Sequence, residues 1–351
     1  MKTVHVSTSN GYDVKIGSGL LDTLGSHAAR LLPRARKVCI VSDSNVWPLY
    51  GSRAQKSLEA AGLEVVFFVF PAGEASKCGA TYLKLLGFLA EHQLTRSDFI
   101  AALGGGVVGD LAGFAAATYL RGIPFIQLPT TLLAAVDSSV GGKTAIDLPQ
   151  GKNLAGAFCQ PSLVLCDPDL LCSLPGEIFR DGCAEVIKYG ILYDRAFFAY
   201  LTEQGMDFDR EAVIARCVEL KRDVVVQDEF DTGLRMKLNL GHTIGHGVEA
   251  QSDFTLSHGC SVAIGTAIVA RAAAAYGLCG AEVRDAILHT LKRFELPIHT
   301  DCTAEALYKS ALSDKKRSGG SVSLIIPHQI GDCVIYPMPV SEIEAFIKAG
   351  L

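Results

Sequence analysis

The sequence predicts a two-domain protein: an α/β domain with a mainly parallel sheet over residues 1–174, then a mostly α-helical domain over 175–351. Three observations carry this expectation. A chain of 351 residues exceeds the roughly 250–300 residues at which a single core stops growing. Short apolar β-rich runs alternate with helical patterns over the first half, as parallel strands covered by helices do. After Pro175 helical periodicity dominates.

The elements follow in order. VHVSTS and YDVKIG flank Asn10-Gly11, a hairpin turn signal. KVCIVSD, VVFFVF, DFIAAL, PFIQLP and LVLC read as strands, with helices at Trp47–Ala61, Thr81–His92 and Val107–Tyr119. The second half predicts helices at Gly176–Gly190, Asp209–Gln227, Leu234–Ala250, Ser261–Gly277 and Ala281–Phe294, interrupted near the end by one hairpin, SVSLIIP and DCVIYP.

Hydrophobic residues make up 49% and charged residues 20% of the chain, the balance of a globular protein with ample core. The net charge of −5 argues against a nucleic-acid surface, which carries a basic excess. An anionic ligand therefore needs a local cluster of Lys and Arg. There are 11 cysteines, no C-x-x-C pair, and no apolar run in the opening MKTVHVSTSN. This usage fits a reducing cytoplasm, with Cys acting as small apolar residues. The most apolar segment, Cys260 to Ala270, ends at Arg271 and is expected to be too short to span a bilayer. A cytoplasmic protein with neither nucleic-acid nor membrane partners is the expectation.

Four stretches carry chemistry. Gly104, Gly106 and Gly109 satisfy G-x-G-x-x-G between a strand and a helix, where backbone N–H groups can meet a pyrophosphate. The fingerprint follows several strands instead of the first, so the nucleotide domain is Rossmann-like in a non-standard way. PTTLLAAVDSSVGGKTAID (129–147), with GKN (151–153) behind it, reads as a long functional loop whose ammonium groups, hydroxyls and Gly suit phosphate or carboxylate. In GCAEVIKYG, Glu185 and Lys188 lie at i and i+3 of an apolar helix, either as an ordinary ion pair or as groups pointing into a site. Finally, LNLGHTIGHGVEA (238–250) places His242 and His246 on one helical face, with His258 close behind. These histidines are a zinc pair, a catalytic pair or unrelated neighbours. Three His and a helical Glu favour a metal site, and an open position beside such ligands marks a catalytic one. A basic turn, DKKRSGG (314–320), reads by itself as surface.

Taken together, these motifs resemble the 3-dehydroquinate synthase family. SDSN (42–45), PAGEASK (71–77), GGGVVGD, TTLLAAVDSSVGGKTAID, GKN, AEVIK, LNLGHTIGHGVEA, HG (258–259) and DKK (314–316) occur in the family's order over nearly the whole chain. The resemblance implies an N-terminal nucleotide-binding domain and a C-terminal metal-binding domain, with the site in the cleft between them, in a homodimer. It further implies conversion of 3-deoxy-D-arabino-heptulosonate 7-phosphate to 3-dehydroquinate and phosphate in the shikimate pathway. NAD is regenerated in each turnover, and a divalent metal, zinc or cobalt, is required. The chemistry implied is transient oxidation, β-elimination of phosphate with the substrate's own phosphate as base, reduction, ring opening and an intramolecular aldol step.

By the same resemblance Glu185, His242 and His258 are the metal ligands, while His246 faces substrate and handles protons. Lys143, Lys188, Arg235 and Asn239 join His246 as catalytic residues. Asp137, Asn153, Lys221 and one of Lys315 or Lys316 add substrate contacts, and Arg121 reaches across the dimer. For NAD, Asp43, Asn45, Glu74 and Lys77 fall at the adenosine end. Gly105, Gly106, Val107, Val108, Gly109, Asp110, Thr130, Thr131 and Lys152 fall around the pyrophosphate and nicotinamide half. Asp137, Ser138, Lys143, Leu170 and Ser173 complete the cofactor contacts. Two positions depart from the family pattern: Cys260 replaces a frequent Glu after the His-Gly pair, and Asp231 a frequent Glu before Arg235.

Three rival readings remain. Another sugar-phosphate cyclase, such as 2-deoxy-scyllo-inosose synthase, binds no carboxylate, whereas Arg235, Asn239 and DKK suit one. A metal-dependent glycerol or alcohol dehydrogenase lacks AEVIK and VDSSVGGKT. A catalytically dead nucleotide-binding module would not keep the full set of ligands and basic residues.

Overall fold

The computed structural model describes residues 1–252, 255–315 and 320–351, with only the backbone described for 312–315. The chain forms two compact units. One comprises Met1–Leu174 and Arg210–Phe230, the other Pro175–Asp209 and Asp231–Leu351.

In the first unit, β1 (Lys2–Val6) and β2 (Tyr12–Ile16) pair antiparallel across the Asn10-Gly11 turn. There follow α1 (Leu24–Leu31), β3 (Lys37–Asp43), a π-helical turn at Trp47–Gly51 running into α2 (Ser52–Ala60), and β4 (Glu64–Phe70). Next come α3 (Gly79–Glu91), β5 (Phe99–Gly104), α4 (Gly106–Thr118) and β6 (Phe125–Pro129). β7 (Lys143–Leu148) and β8 (Gly151–Phe158) form a separate hairpin, and β9 (Leu163–Cys166) returns to the main sheet. That sheet has the order β1-β2-β9-β6-β5-β3-β4, with every pairing but β1–β2 parallel.

Alternation along the strands divides the core. Val38, Ile40, Phe99, Ala101 and Leu103 pack with Leu24 and Leu58. Cys39, Val41, Ile100 and Ala102 pack with Leu85, Leu111 and Ala115. Both faces are covered, so β5, β6 and β9 are buried along their whole length, as central parallel strands are.

The second unit contains α5 (Gly176–Tyr193) and α6 (Arg195–Gln204). After α7 (Arg210–Gln227) come α8 (His242–Gln251), α9 (His258–Ala275), α10 (Ala281–Arg293) and α11 (Ala304–Lys315). The hairpin β10 (Ser321–Gln329) and β11 (Asp332–Pro339) and the final α12 (Val340–Gly350) complete it.

Several elements differ from the sequence expectation. Helix α7, expected with the helical half, belongs to the first unit. Its Lys221 ammonium donates to the Asp137 carbonyl at 2.6 Å. Just beyond its end, Glu229 accepts from Ser9 N at 2.9 Å and Gln160 Nε2 at 3.0 Å. The stretch 129–147, expected as a loop, is a π-helical turn at Ala134–Ser138 followed by strand β7. The helix expected over Leu234–Ala250 is interrupted: Leu234–Asn239 is a 3₁₀ turn, and α8 starts only at His242. Between them Gly241 adopts φ +76°, and a Cβ there would stand 2.3 Å from Thr266 Oγ1. This position therefore requires glycine on two counts. Helices α6, α11 and α12 were not expected. The apolar segment Cys260–Ala270 lies within α9, which continues past Arg271 to Ala275. α9 is long and apolar enough to cross a membrane by length and composition, but 72% of it is buried inside the protein. Arg271 instead donates to the Ile298 carbonyl at 2.9 Å.

Candidate functional site

Glu185 lies midway along α5, fully buried, at a point where the helix is enclosed on all sides. His242 and His258 are the first residues of α8 and α9, so each ring stands where a helix begins. Both rings turn Nε2 toward a single oxygen: Glu185 Oε1 lies 3.4 Å from His242 Nε2 and 3.7 Å from His258 Nε2. The three ligand atoms lie within 4.8 Å of one another. Two imidazole nitrogens and a carboxylate oxygen are a donor set suited to zinc or cobalt, and three protein ligands leave a position open.

The surroundings prepare these ligands. His242 Nδ1 donates to the Leu240 carbonyl at 3.0 Å, which leaves Nε2 as the acceptor. Burial, reinforced by the nearby Lys188 ammonium, pushes the His242 imidazole down to about 3, so it is held neutral. For His258 burial acts in the same direction, but the Glu185 and Glu249 carboxylates, each 3.7 Å from a ring nitrogen, outweigh it and take the ring up to about 10. The pocket thus favours a cation beside Glu185. Lys188 pairs with the other Glu185 oxygen, and both side chains are buried. This is not an exposed helical pair.

α9 can approach α5 this closely because residue 259 is glycine: a Cβ would stand 1.9 Å from the Asp181 carbonyl oxygen. The Asp181 carboxylate then accepts from Cys260 N at 3.0 Å, capping the helix that carries His258. His246, one turn after His242, is exposed, with its ring centroid 5.6 Å from that of His242 and 6.2 Å from that of His258. Arg235 is buried and Asn239 half-buried on the 3₁₀ turn that leads into α8.

The first unit carries the other candidate residues. The chain passes from β3 out to edge strand β4, then back to β5 on the other side of β3. This makes a topological switch point, beside which open α/β sheets bind their ligands at the carboxyl ends of the strands. Asp43 ends β3, and Glu74 and Lys77 follow β4. Gly105 to Asp110 follow β5, Thr130 and Thr131 follow β6, and Leu170 and Ser173 follow β9. Gly105 precedes the first turn of α4, whose N–H groups are available to an anion. Thr130 Oγ1 is buried without a hydrogen-bond partner among the described residues. These features fit a dinucleotide.

Some groupings were not foreseen. The Lys77 ammonium, buried, contacts the Asp110 carboxylate at 2.6 Å, Asn153 Oδ1 at 2.5 Å and Glu74 at 3.8 Å. By the resemblance, Glu74 and Lys77 belong to the adenosine end of NAD, Asp110 to its pyrophosphate and nicotinamide half, and Asn153 to the substrate. They meet because β7 runs beside the Lys77 segment, with Asp147 N donating to the Lys77 carbonyl at 2.7 Å. Lys221 pairs with Asp137 on the π-helical turn. Asp43 Oδ1 accepts from Asn45 N at 2.8 Å and Val46 N at 3.0 Å, shaping the turn after β3. Ser138 belongs to the same π-helical turn as Asp137, while Lys143 is exposed at the start of β7 and Lys152 half-buried on β8. Arg121 is exposed at φ +68°, following Leu120 at φ +51°. Such strain in non-glycine residues collects at functional positions. The Lys315 side chain and all of Lys316 lie outside the described residues. Glu249 and Asp181 are not among the residues that the sequence motifs single out. Glu249 had a signal, because it lies seven residues after His242 on the same helical face.

The 3-dehydroquinate synthase N-terminal and C-terminal family models match residues 67–181 and 182–317. The chain belongs to the 3-dehydroquinate synthase family. The 3-dehydroquinate synthase of Enterococcus faecalis is 43% identical over 354 residues, covering 99% of each chain. Among solved structures, 2-epi-5-epi-valiolone synthase from Streptomyces hygroscopicus, with NAD+ and Zn2+ bound, is similar at a TM-score of 0.87, with 27% identity over 96% of each chain. A 2-deoxy-scyllo-inosose synthase complexed with carbaglucose-6-phosphate, NAD+ and Co2+ has a TM-score of 0.90 at 24% identity over 100% of each chain, a likeness of fold.

Proposed function

We propose that this member of the 3-dehydroquinate synthase family is a lyase that converts 3-deoxy-D-arabino-heptulosonate 7-phosphate to 3-dehydroquinate and phosphate. The reading rests above all on the Glu185, His242 and His258 donor set, with exposed His246 one helical turn from His242. A bound divalent metal would acidify a coordinated substrate hydroxyl, while NAD would take up and later return a hydride.

The chain's own residues bind, orient and move protons. Glu185, His242 and His258 would hold the metal. His246 is the group suited to relay a proton through its ring nitrogens, because it is exposed and lies on the ligand face of α8. Lys188, buried beside Glu185, supplies fixed positive charge without having to reorganise. Arg235 presents a guanidinium fork that suits a carboxylate, and Asn239 on the same turn adds an amide. Lys221 is oriented by Asp137, and Lys143 and Asn153 offer further polar contacts. Lys77 orients the Asn153 amide by holding its oxygen. The glycine-led start of α4 would receive the pyrophosphate of NAD, with Asp110, Thr130, Thr131 and Lys152 beside the nicotinamide half. Asp43, Asn45, Glu74, Leu170 and Ser173 complete the cofactor contacts.

We also place the enzyme in the cytoplasm as a homodimer, with Arg121 serving the partner's site. Eleven free thiols suit a reducing compartment, and sedimentation at twice the chain mass of 37.3 kDa checks the dimer. The deciding assay combines purified protein, the heptulosonate phosphate, NAD and zinc. We expect phosphate release with catalytic NAD and no net NADH. Stoichiometric NADH would instead indicate a dehydrogenase, and turnover of glucose 6-phosphate alone an inosose synthase.

A further inference from the structure

Glu249 is a carboxylate, 5% exposed, that lies outside the ligand set. It stands three residues after His246 and seven after His242, on the face of α8 that carries both rings. Its Oε2 lies 3.7 Å from His258 Nδ1, an ion-pair distance, while Nε2 of the same ring lies 3.7 Å from Glu185 Oε1. The companion ring is arranged in the same way. His242 gives Nδ1 to the Leu240 carbonyl at 3.0 Å and turns Nε2 to the same Glu185 oxygen at 3.4 Å. Each of the two histidines therefore has an oxygen behind it and Glu185 in front. For His242 that oxygen is a hydrogen-bonded backbone carbonyl; for His258 it belongs to the Glu249 carboxylate, at ion-pair distance.

We propose that Glu249 is a positioning residue for the metal. It holds the Nδ1–H of His258, selecting the tautomer whose Nε2 lone pair is free for a divalent cation. The proposal rests on the metal reading of Glu185, His242 and His258. Its physical basis is that an imidazole has two nitrogens, and the hydrogen bond at one decides which offers the lone pair. His258 is the first residue of α9 and 32% exposed, so its ring is less confined by packing than that of His242, 13% exposed. An anchoring carboxylate therefore matters more there. Burying a carboxylate is costly unless it is paired, and the His258 ring provides the pairing.

The test uses the full-length apoprotein with cobalt(II) as probe, titrated against a chromophoric chelator and followed by the visible cobalt spectrum. We expect Glu249→Gln to lower cobalt affinity about 10–100-fold and to shift the spectrum, while the apoprotein keeps its circular dichroism and thermal midpoint. Glu249→Asp should recover part of the affinity. Wild-type affinity and spectrum in Glu249→Gln would overturn the proposal. So would an affinity loss matched by an equal loss of apoprotein stability, because Glu249 would then be structural. Failure of the wild-type protein to bind cobalt would sink the metal reading itself, and the proposal with it.

Discussion

The Lys221 ammonium pairs with the Asp137 carboxylate and also donates to the Asp137 backbone carbonyl at 2.6 Å, across 84 positions of sequence. One side chain thus locks α7 to the π-helical turn after β6. π-Helical turns cluster at functional positions, and both residues are expected to face substrate. Asp137→Ala takes the carboxylate away from the buried ammonium. We expect a stability loss of about 3 kcal/mol, the low end for breaking a buried pair from one side. A urea unfolding midpoint close to wild type would refute this.

Under the proposed function the three clustered histidines have different duties, which separate in metal content. His242→Ala and His258→Ala each remove an Nε2 that faces Glu185 and should strip the metal. His246→Ala should retain it and lose about 100-fold or more in kcat, as removal of a proton-transfer group does. Metal analysis of dialysed variants, paired with kcat, checks the distinction. Equal metal loss in all three would make His246 a ligand.

Asp98 yields a pH prediction remote from the site. Burial raises its carboxyl, but the backbone N–H groups of Thr95, Arg36 and Lys37, together with the Thr95 hydroxyl, outweigh this and hold it below the ordinary 3.8. Below 3.8 the unfolded chain takes up the proton first, so stability rises with pH through that window. Asp98 thus contributes fully above 3.8, and its contribution is lost as pH falls through the lower folded value. Unfolding free energies of Asp98→Asn should accordingly vary less with pH below about 4 than those of wild type. Parallel curves would show that Asp98 does not titrate in this way.

Much of the fold was legible in the residues because the signals are local. Apolar runs bounded by turn residues placed the strands, and helical periodicity placed α4, α5 and α10 within a few residues. Expectations failed where a distant contact overrode local pattern. The periodicity of Leu234–Ala250 reads as one helix, but α9 packs against Gly241 and the backbone turns there. The composition of 129–147 reads as a loop, yet β8 supplies a partner strand and orders its second half as β7.

The sequence by itself determined the alternation of strand and helix and the glycine-led helix start, and its resemblance to a family named the candidate metal donors. Residue type, spacing and motif order suffice for these. Only the tertiary structure decided that α7 joins the sheet unit, that Lys77 gathers Asp110 and Asn153, and that Glu249 stands behind His258. The physical reason is that a buried charge takes its partner from whatever packing brings within reach. Lys77 meets Asn153 across 76 positions, and Ser9 meets Glu229 across 220. No local pattern records which residues will meet across such separations.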